Sequence, residues 1–359
     1  MSEYSGDGQT TVGLDVSDRH VHACFLDHEG RVVEEGRLAA TSNGLRRRFS
    51  GRERYRVILE VGIHSPWMSR LLTSLGHEVY VANARRLRAI YTNENKSDRV
   101  DAEYLARIGR LDPALLSPLT HRSPETQADL AVLRSRAALV KIRSLLANHL
   151  RGVLKSAGGR VPLVETRLLA RRIQNEIPPE LAPALAPIVS TMLQLDERIS
   201  EYDQQIEAMS RERYPETQLL RQVHGVGLIT AATFVLTVED PTRFGNPRSI
   251  GSYLGLRPRQ DDSGSLKPQL PITKAGDKNL RSLLVECSQH ILGRFGHDSD
   301  LRRWGLKLAE RGGKSAKKRA IVAVARKLSV LLLRLWLTGE AYEPLRNARL
   351  RGELVPLQS

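Results

Sequence analysis

The sequence predicts an α/β domain at residues 8–120, a helical coiled-coil arm at 121–215, a mostly α-helical C-terminal domain at 216–340 and a tail at 341–359. Three observations carry that division. Strand-like and helix-like segments alternate through residues 11–110, strand character disappears between 124 and 214, and glycine turns punctuate helical segments from 217 to 340.

In the first region TVGLDVS, VHACFLD and RVVEEGRLAA read as three strands, the second and third joined by a hairpin turn at Asp27 to Gly30. SNGLRRRFSG is amphipathic, with Ser42 as its expected cap. YRVILEVG reads as a fully buried strand bounded by a charged run and Gly62. SPWMSRLLTSLG reads as a helix with Ser65 as cap, Pro66 at its first position and Gly76 as its stop. HEVYVAN is another strand, and the segment after Lys96 is helical through Val100, Tyr104, Leu105 and Ile108. This order builds an α/β layer whose crossovers pack on a mixed sheet.

Beyond residue 124, Leu130, Leu133, Ala137, Val140, Ile142, Leu145, Leu146 and Leu150 mark a long amphipathic helix. After GGRVP and PPELAPALAP, read as a breaker, a second helix carries Ile188, Met192, Leu195, Ile199, Tyr202 and Ile206. That heptad-like spacing suits an intramolecular antiparallel hairpin and a self-associating coiled coil equally. The last region holds HGVG (224–227), YLGLRPRQDDSGS (253–265) and ITKAGDKNLRSLLVECS (272–288), then a basic helix around Lys314 to Lys327.

Composition narrows the function classes. A hydrophobic fraction of 41% supplies real cores, and 55 Lys+Arg against 40 Asp+Glu leave a net charge of +15. That excess favours a polyanionic partner through phosphate neutralisation and counterion release. Cys24 and Cys287, the 2 cysteines, make neither a disulfide framework nor a Cys-rich zinc site. The N-terminus lacks a signal pattern, and the longest apolar run, Leu328 to Leu337, is interrupted by Arg334, so a cytoplasmic, nucleoid-associated protein with no membrane contact is expected. With 5% aromatic residues, base stacking is not the expected main mode of nucleic-acid binding.

The chemistry-bearing residues of the first region are carboxylates. Asp15 ends the first strand, and Glu60 sits among Val57, Ile58, Leu59 and Val61, where it needs a cation, a hydrogen-bond network or an exposed strand end. Asp98 and Asp101, spaced i and i+3, share one helix face, where like charges repel. Singly, Asp15 reads as a solvated strand end and Asp98 as a charge favoured by the helix dipole. Together the four can converge on a pair of hard cations; Mg²⁺ takes such oxygen ligands, and two ions about 4 Å apart serve phosphodiester chemistry.

The order of elements and acidic residues resembles the ribonuclease-H-like fold in its RuvC-like form. More closely, GLDVS, LEVG and KSDRVDAEYLAR resemble the DEDD-type insertion-sequence transposases that include the Piv DNA invertases. The resemblance implies that Asp15, Glu60, Asp98 and Asp101 form the catalytic, metal-holding tetrad. The segment GSYLGLRPRQDDSGSLKPQLPITKAGDKNLRSLLVECS is similar to the C-terminal transposase domain of that family. On that pattern Ser263 is the nucleophile, linked transiently to DNA as a 5′-phosphoserine, with Ser265 a second hydroxyl nearby. By itself Ser263 reads as a polar turn residue. The family further implies double-stranded DNA at element ends and target, guidance by a structured RNA, and a homodimer or tetramer.

Other features face nucleic acid. VHGVG resembles a helix-hairpin-helix turn, with Gly225 and Gly227 presenting N–H groups to a phosphate, and reads equally as a glycine-stopped helix followed by another. Lys274, Lys278 and Arg281 flank the Gly276 turn, while Lys317 and Lys318 belong to a basic run. Competing readings are a RuvC-like junction resolvase that uses water instead of Ser263, and a non-catalytic nucleic-acid-binding protein. A sugar-kinase-like ATPase needs a second Gly-rich phosphate loop, which the sequence lacks.

Overall fold

The computed structural model describes residues 9–83, 97–159, 161, 163–260, 270–313 and 315–352. The chain folds as two compact units, Met1–Ser123 and Pro124–Ser359.

The first unit is a five-stranded mixed sheet in the order β3-β2-β1-β4-β5. β1 (Thr11–Val16), β2 (His20–Leu26) and β3 (Val32–Ala39) form an antiparallel meander; β4 (Arg56–Glu60) runs parallel to β1, and β5 (Glu78–Ala82) parallel to β4. The expected β2–β3 turn is present: Gly30 adopts φ +85°, and Asp27 Oδ1 accepts from the N–H groups of Glu29 and Arg31 at 2.9 Å each. Helices α1 (Ser42–Phe49) and α2 (Ser65–Ser74) cover one face of the sheet, and α3 (Asp98–Leu111) the other.

Strand alternation sorts the residues between these faces. Val12, Leu14, Val21, Ala23, Phe25, Val57 and Leu59 pack with Leu45 and Phe49 of α1 and with Met68, Leu71 and Leu72 of α2. The intervening residues turn toward α3, where Cys24 and Leu26 meet Ala102 and Ala106, and Ile58 meets Leu105 and Ile108. Gly13 belongs to this second set. A Cβ there would stand 2.0 Å from the Ala102 carbonyl oxygen, so β1 and α3 touch main chain to main chain.

Two helix starts differ from expectation. α1 is capped by Thr41, whose Oγ1 accepts from the Gly44 N–H at 3.1 Å, so Ser42 is the first helical residue. In α2 the cap position is His64, and Ser65 instead closes the preceding loop: its Oγ accepts from Gly62 N–H at 3.0 Å and donates to Gly62 O at 2.8 Å. A short polar residue beside a helix start serves either place, and the loop geometry decides.

The second unit opens with an antiparallel hairpin of α4 (Pro124–Ser156) and α6 (Ala182–Arg213), joined through α5 (Thr166–Ile173). Ion pairs cross-link the hairpin at Arg136–Asp203 (2.5 Å) and Arg143–Asp196 (2.6 Å). Leu150, Leu154, Leu169, Ile173, Leu185 and Met192 close its far end. Of the proline-rich stretch expected to break the helix, Pro178 and Pro179 precede α6, while Pro183 and Pro187 lie within it. Proline is tolerated in a first turn, whose N–H groups lack helical partners; Pro187, further in, removes one bond. Next come α7 (Glu216–Leu220) and α8 (Leu228–Val238), the latter apolar all round and buried from Thr230 to Val238. Around α8 lie α9 (Ile250–Tyr253), α10 (Lys278–Leu292), α11 (Asp300–Ala309) and α12 (Ala316–Thr338), sharing one core through Phe234, Leu254, Leu284, Leu301 and Leu332. The basic segment and the apolar run after it thus form the single helix α12. Among the described residues no helix is long and apolar enough to cross a membrane.

Candidate active site

Three elements bring carboxylates together in the first unit. Asp15 is the fifth of the six residues of β1 and turns toward α3 by the same alternation that places Gly13 there. Glu60 is the last residue of β4 and projects to that face beside Ile58. It is partly exposed at the strand end, one of the settings its apolar flanks required. Asp98 and Asp101 occupy the first turn of α3, where the helix dipole favours negative charge. Ser97 starts that helix, its Oγ accepting from Val100 N–H at 3.4 Å. The close approach at Gly13 fixes how far this turn stands from β1.

The electrostatics show the convergence. Burial, then the charges of Asp98, Asp101 and Glu60, push the Asp15 carboxyl up from its ordinary 3.8 to about 6, opposed by His22. His22 was not among the residues singled out from the sequence. It stands directly across from Asp15 in the β1–β2 register, and its Nδ1 lies 3.3 Å from Asp98 Oδ2. One ligand atom each from Asp15, His22 and Asp98 lie within 4.8 Å of one another. The available signal was the short link Ser17–Arg19, which makes β1 and β2 a tight hairpin with residues 15 and 22 opposed. Both cysteines are buried, and burial first of all pushes the Cys24 thiol up to about 11, so no thiolate joins this group.

The donor set fits hard divalent cations. Like-charged carboxylates crowd a half-buried position from three elements, an arrangement that costs stability until positive charge enters it. Among the described residues, Asp15, His22 and Asp98 form a group with ligand atoms close enough for one ion; Glu60 and Asp101 act on Asp15 through their charge.

In the second unit, Ser263 and Ser265 lie outside the described residues. The chain on either side of them is held together. Pro258 and Ile272 form a bridge, Arg259 N–H donates to Pro271 O at 2.9 Å, and Thr273 N–H donates to Arg257 O at 2.9 Å. The turns at Gly255 and Gly276 interlock, because a Cβ on Gly276 would sit 2.1 Å from Tyr253 O. Arg281, expected at a phosphate, donates from Nη1 to Leu254 O (3.1 Å) and Ala275 O (2.7 Å) and so ties these turns. Lys274 and Lys278 are exposed beside them, and Lys317 and Lys318 are exposed at the start of α12. Gly225 turns the chain with φ +90° between α7 and α8, and Gly227 caps α8 without a side-chain bond.

Comparison with known proteins gives two family matches along the chain. Residues 12–158 match the DEDD transposase family of IS110 elements, and residues 217–303 match the transposase family of IS116, IS110 and IS902. The chain is 27% identical over 349 residues to the transposase for insertion sequence element IS1111A of Coxiella burnetii, covering 92% of this chain and 90% of that one. It is 30% identical over 300 residues to the protein of Sinorhizobium fredii named as transposase y4pF/y4sB, covering 80% and 74%. With the pilin gene-inverting protein of Moraxella lacunata it shares 24% over 330 residues, covering 89% and 93%. The fold therefore belongs to a DNA-transposing enzyme of the DEDD kind, a family that implies divalent metal use. The chain is a member of the IS110/IS116 transposase family.

Proposed function

We propose that this transposase cuts and rejoins double-stranded DNA through a serine-linked intermediate, with Asp15, Glu60, Asp98 and Asp101 holding two Mg²⁺ ions and Ser263 as nucleophile. The observation that carries the reading is the convergence of three other carboxylates on a half-buried Asp15. The sheet order, with β1 to β3 antiparallel, β4 parallel to β1 and acidic residues ending β1 and β4, supports a ribonuclease-H-like, RuvC-like assignment for this unit.

When bound, the cations would stabilise charge on the attacking and leaving oxygens. Ser263 Oγ attacks the scissile phosphorus, loses its proton and becomes the 5′-phosphoserine, while the bridging 3′-oxygen leaves as a hydroxyl. A 3′-hydroxyl of the exchanged strand then attacks the same phosphorus and releases the serine, so no phosphodiester energy is lost. An unassisted serine is a weak nucleophile, and no histidine neighbours it in sequence. Lys274, Lys278, Lys317 and Lys318 supply exposed positive charge for phosphates, and the Gly225–Gly227 turn presents main-chain N–H groups at the start of α8. Such contacts position DNA without reading sequence, which accords with guidance by a structured RNA. The antiparallel arm suits assembly as a dimer or tetramer.

The test is to incubate the protein with Mg²⁺, element-end DNA and the RNA transcribed from the element end, then run a denaturing gel. A protein–DNA adduct that vanishes in Ser263→Ala supports the serine step. Cleavage without an adduct replaces it with hydrolysis by water.

A further inference from the structure

We infer that His22 is a direct metal ligand, which makes one of the two cation positions a mixed nitrogen and oxygen site that takes Mn²⁺ or Co²⁺ in preference to Mg²⁺. The inference rests on the proposed carboxylate site and adds a ligand to it.

The geometry comes first. His22 and Asp15 are direct cross-strand partners in an antiparallel pair, and both project to the face that α3 covers. Asp98 reaches the same place from the first turn of α3, with its Oδ2 3.3 Å from His22 Nδ1. Two ligands of one ion, each bonded at about 2.1 Å, stand about 3 Å apart when adjacent and about 4.2 Å apart when opposite. The three donor atoms, all within 4.8 Å of one another, need only small side-chain rotations to meet that spacing.

A structural role explains His22 poorly. Its side chain is 30% exposed and that of Asp98 59%, and a pair so open to water contributes little to stability. Among the described residues the imidazole makes no hydrogen bond that would lock it for folding, in contrast to His77 of the same unit. That ring is buried, with Nδ1 accepting from Tyr55 N–H at 3.2 Å and Nε2 at 3.1 Å from Phe49 O. Beside His22 lies a cavity of about 250 Å³ lined by Cys24, Glu35, Gly36 and Arg99, which leaves the ring room to turn. The selectivity follows from donor chemistry: carboxylate oxygen suits Mg²⁺ and Mn²⁺ alike, whereas imidazole nitrogen is accepted by first-row transition ions from Mn²⁺ onward more readily than by Mg²⁺.

The experiment uses the full chain with Mn²⁺ as probe. Loss of the free-ion electron paramagnetic resonance signal measures uptake, and electron spin echo modulation detects nitrogen bound to the ion. Wild type is expected to take up Mn²⁺ about tenfold more tightly than Mg²⁺ and to show ¹⁴N modulation. Labelling only histidine with ¹⁵N should convert that modulation to ¹⁵N, a readout that requires no variant. In His22→Gln the modulation should vanish while Mn²⁺ still binds, with the Mn²⁺ preference reduced about tenfold; His22→Asp should favour Mg²⁺. Mn²⁺ bound without histidine modulation, or with modulation that persists in a folded His22→Gln, overturns the ligand assignment and leaves the carboxylate site standing. Failure of wild type to take up Mn²⁺ at all overturns both.

Discussion

Asp15 in the sheet unit and Asp196 in the helical arm are both carboxylates drawn out of water, and their surroundings are opposite. Asp196 lies 2.6 Å from Arg143, with both side chains nearly covered. Asp129, at the base of the same hairpin, accepts from Arg213 and from Tyr214 Oη at 2.7 Å each. Burial and that bond push the Tyr214 hydroxyl up to about 12. Asp15 instead faces Asp98, Asp101 and Glu60. The arm pairs these acids with cationic side chains of the same chain; the sheet sets Asp15 among like charges that raise its carboxyl. The neighbour, more than the residue type, separates structural charge from chemistry.

The largest expected effect separates the regions by function. Asp15→Ala, Asp101→Ala and Ser263→Ala should each abolish strand exchange in a plasmid recombination assay while circular dichroism stays that of wild type. Product from any of them at the wild-type level removes that residue from the chemistry. On the arm, Asp196→Ala leaves Arg143 buried without its partner and should cost about 3 kcal/mol in urea unfolding. Replacing both together, Arg143→Met with Asp196→Leu, should recover most of that loss. If the double variant is as unstable as the single one, the pair does more than neutralise itself.

A smaller effect concerns pH. Because the folded chain raises the Asp15 carboxyl from 3.8 to about 6, it holds that proton more tightly than the unfolded chain does. The resulting stability is present at low pH and lost as pH rises from about 4 to about 6. In EDTA, Asp15→Asn should therefore melt higher than wild type at pH 7, and the gap should close toward pH 4. Added divalent cation should raise the wild-type melting temperature and not that of the variant. The smallest effect is a control in the same unit: Thr41→Ala should cost about 1 kcal/mol by removing a helix cap, with strand exchange intact. Ser42→Ala should change little, and the reverse ranking would place the cap at Ser42.

Much of the site was legible because strand periodicity is strict. Once TVGLDVS and VILE are strands, Asp15 and Glu60 fall near strand ends, which the β1–β4 register then puts on one face, and the i, i+3 spacing of Asp98 and Asp101 fixes their common direction. His22 was harder to read: the short Ser17–Arg19 link allows a hairpin, but its turn carries no Asn-Gly or Asp-Gly signal to fix the register. The start of α6 was legible only in part: of the stretch read as a breaker, Pro178 and Pro179 precede the helix, whereas Pro183 lies in its first turn and Pro187 costs a single bond. The interlocking of the Gly255 and Gly276 turns depends on long-range approach, which local pattern does not encode.

Gly13 gives the acidic cluster a kind of calibration. The spacing between the Asp15 strand and the Asp101 helix is set where main chain meets main chain at the Ala102 carbonyl, with no side chain between. Exchanging one aliphatic residue for another in the layers above and below alters volume without touching that contact. The apolar interior can therefore drift a long way in composition while the ruler between the carboxylates keeps its length, and a single added methyl group at position 13 would reset it.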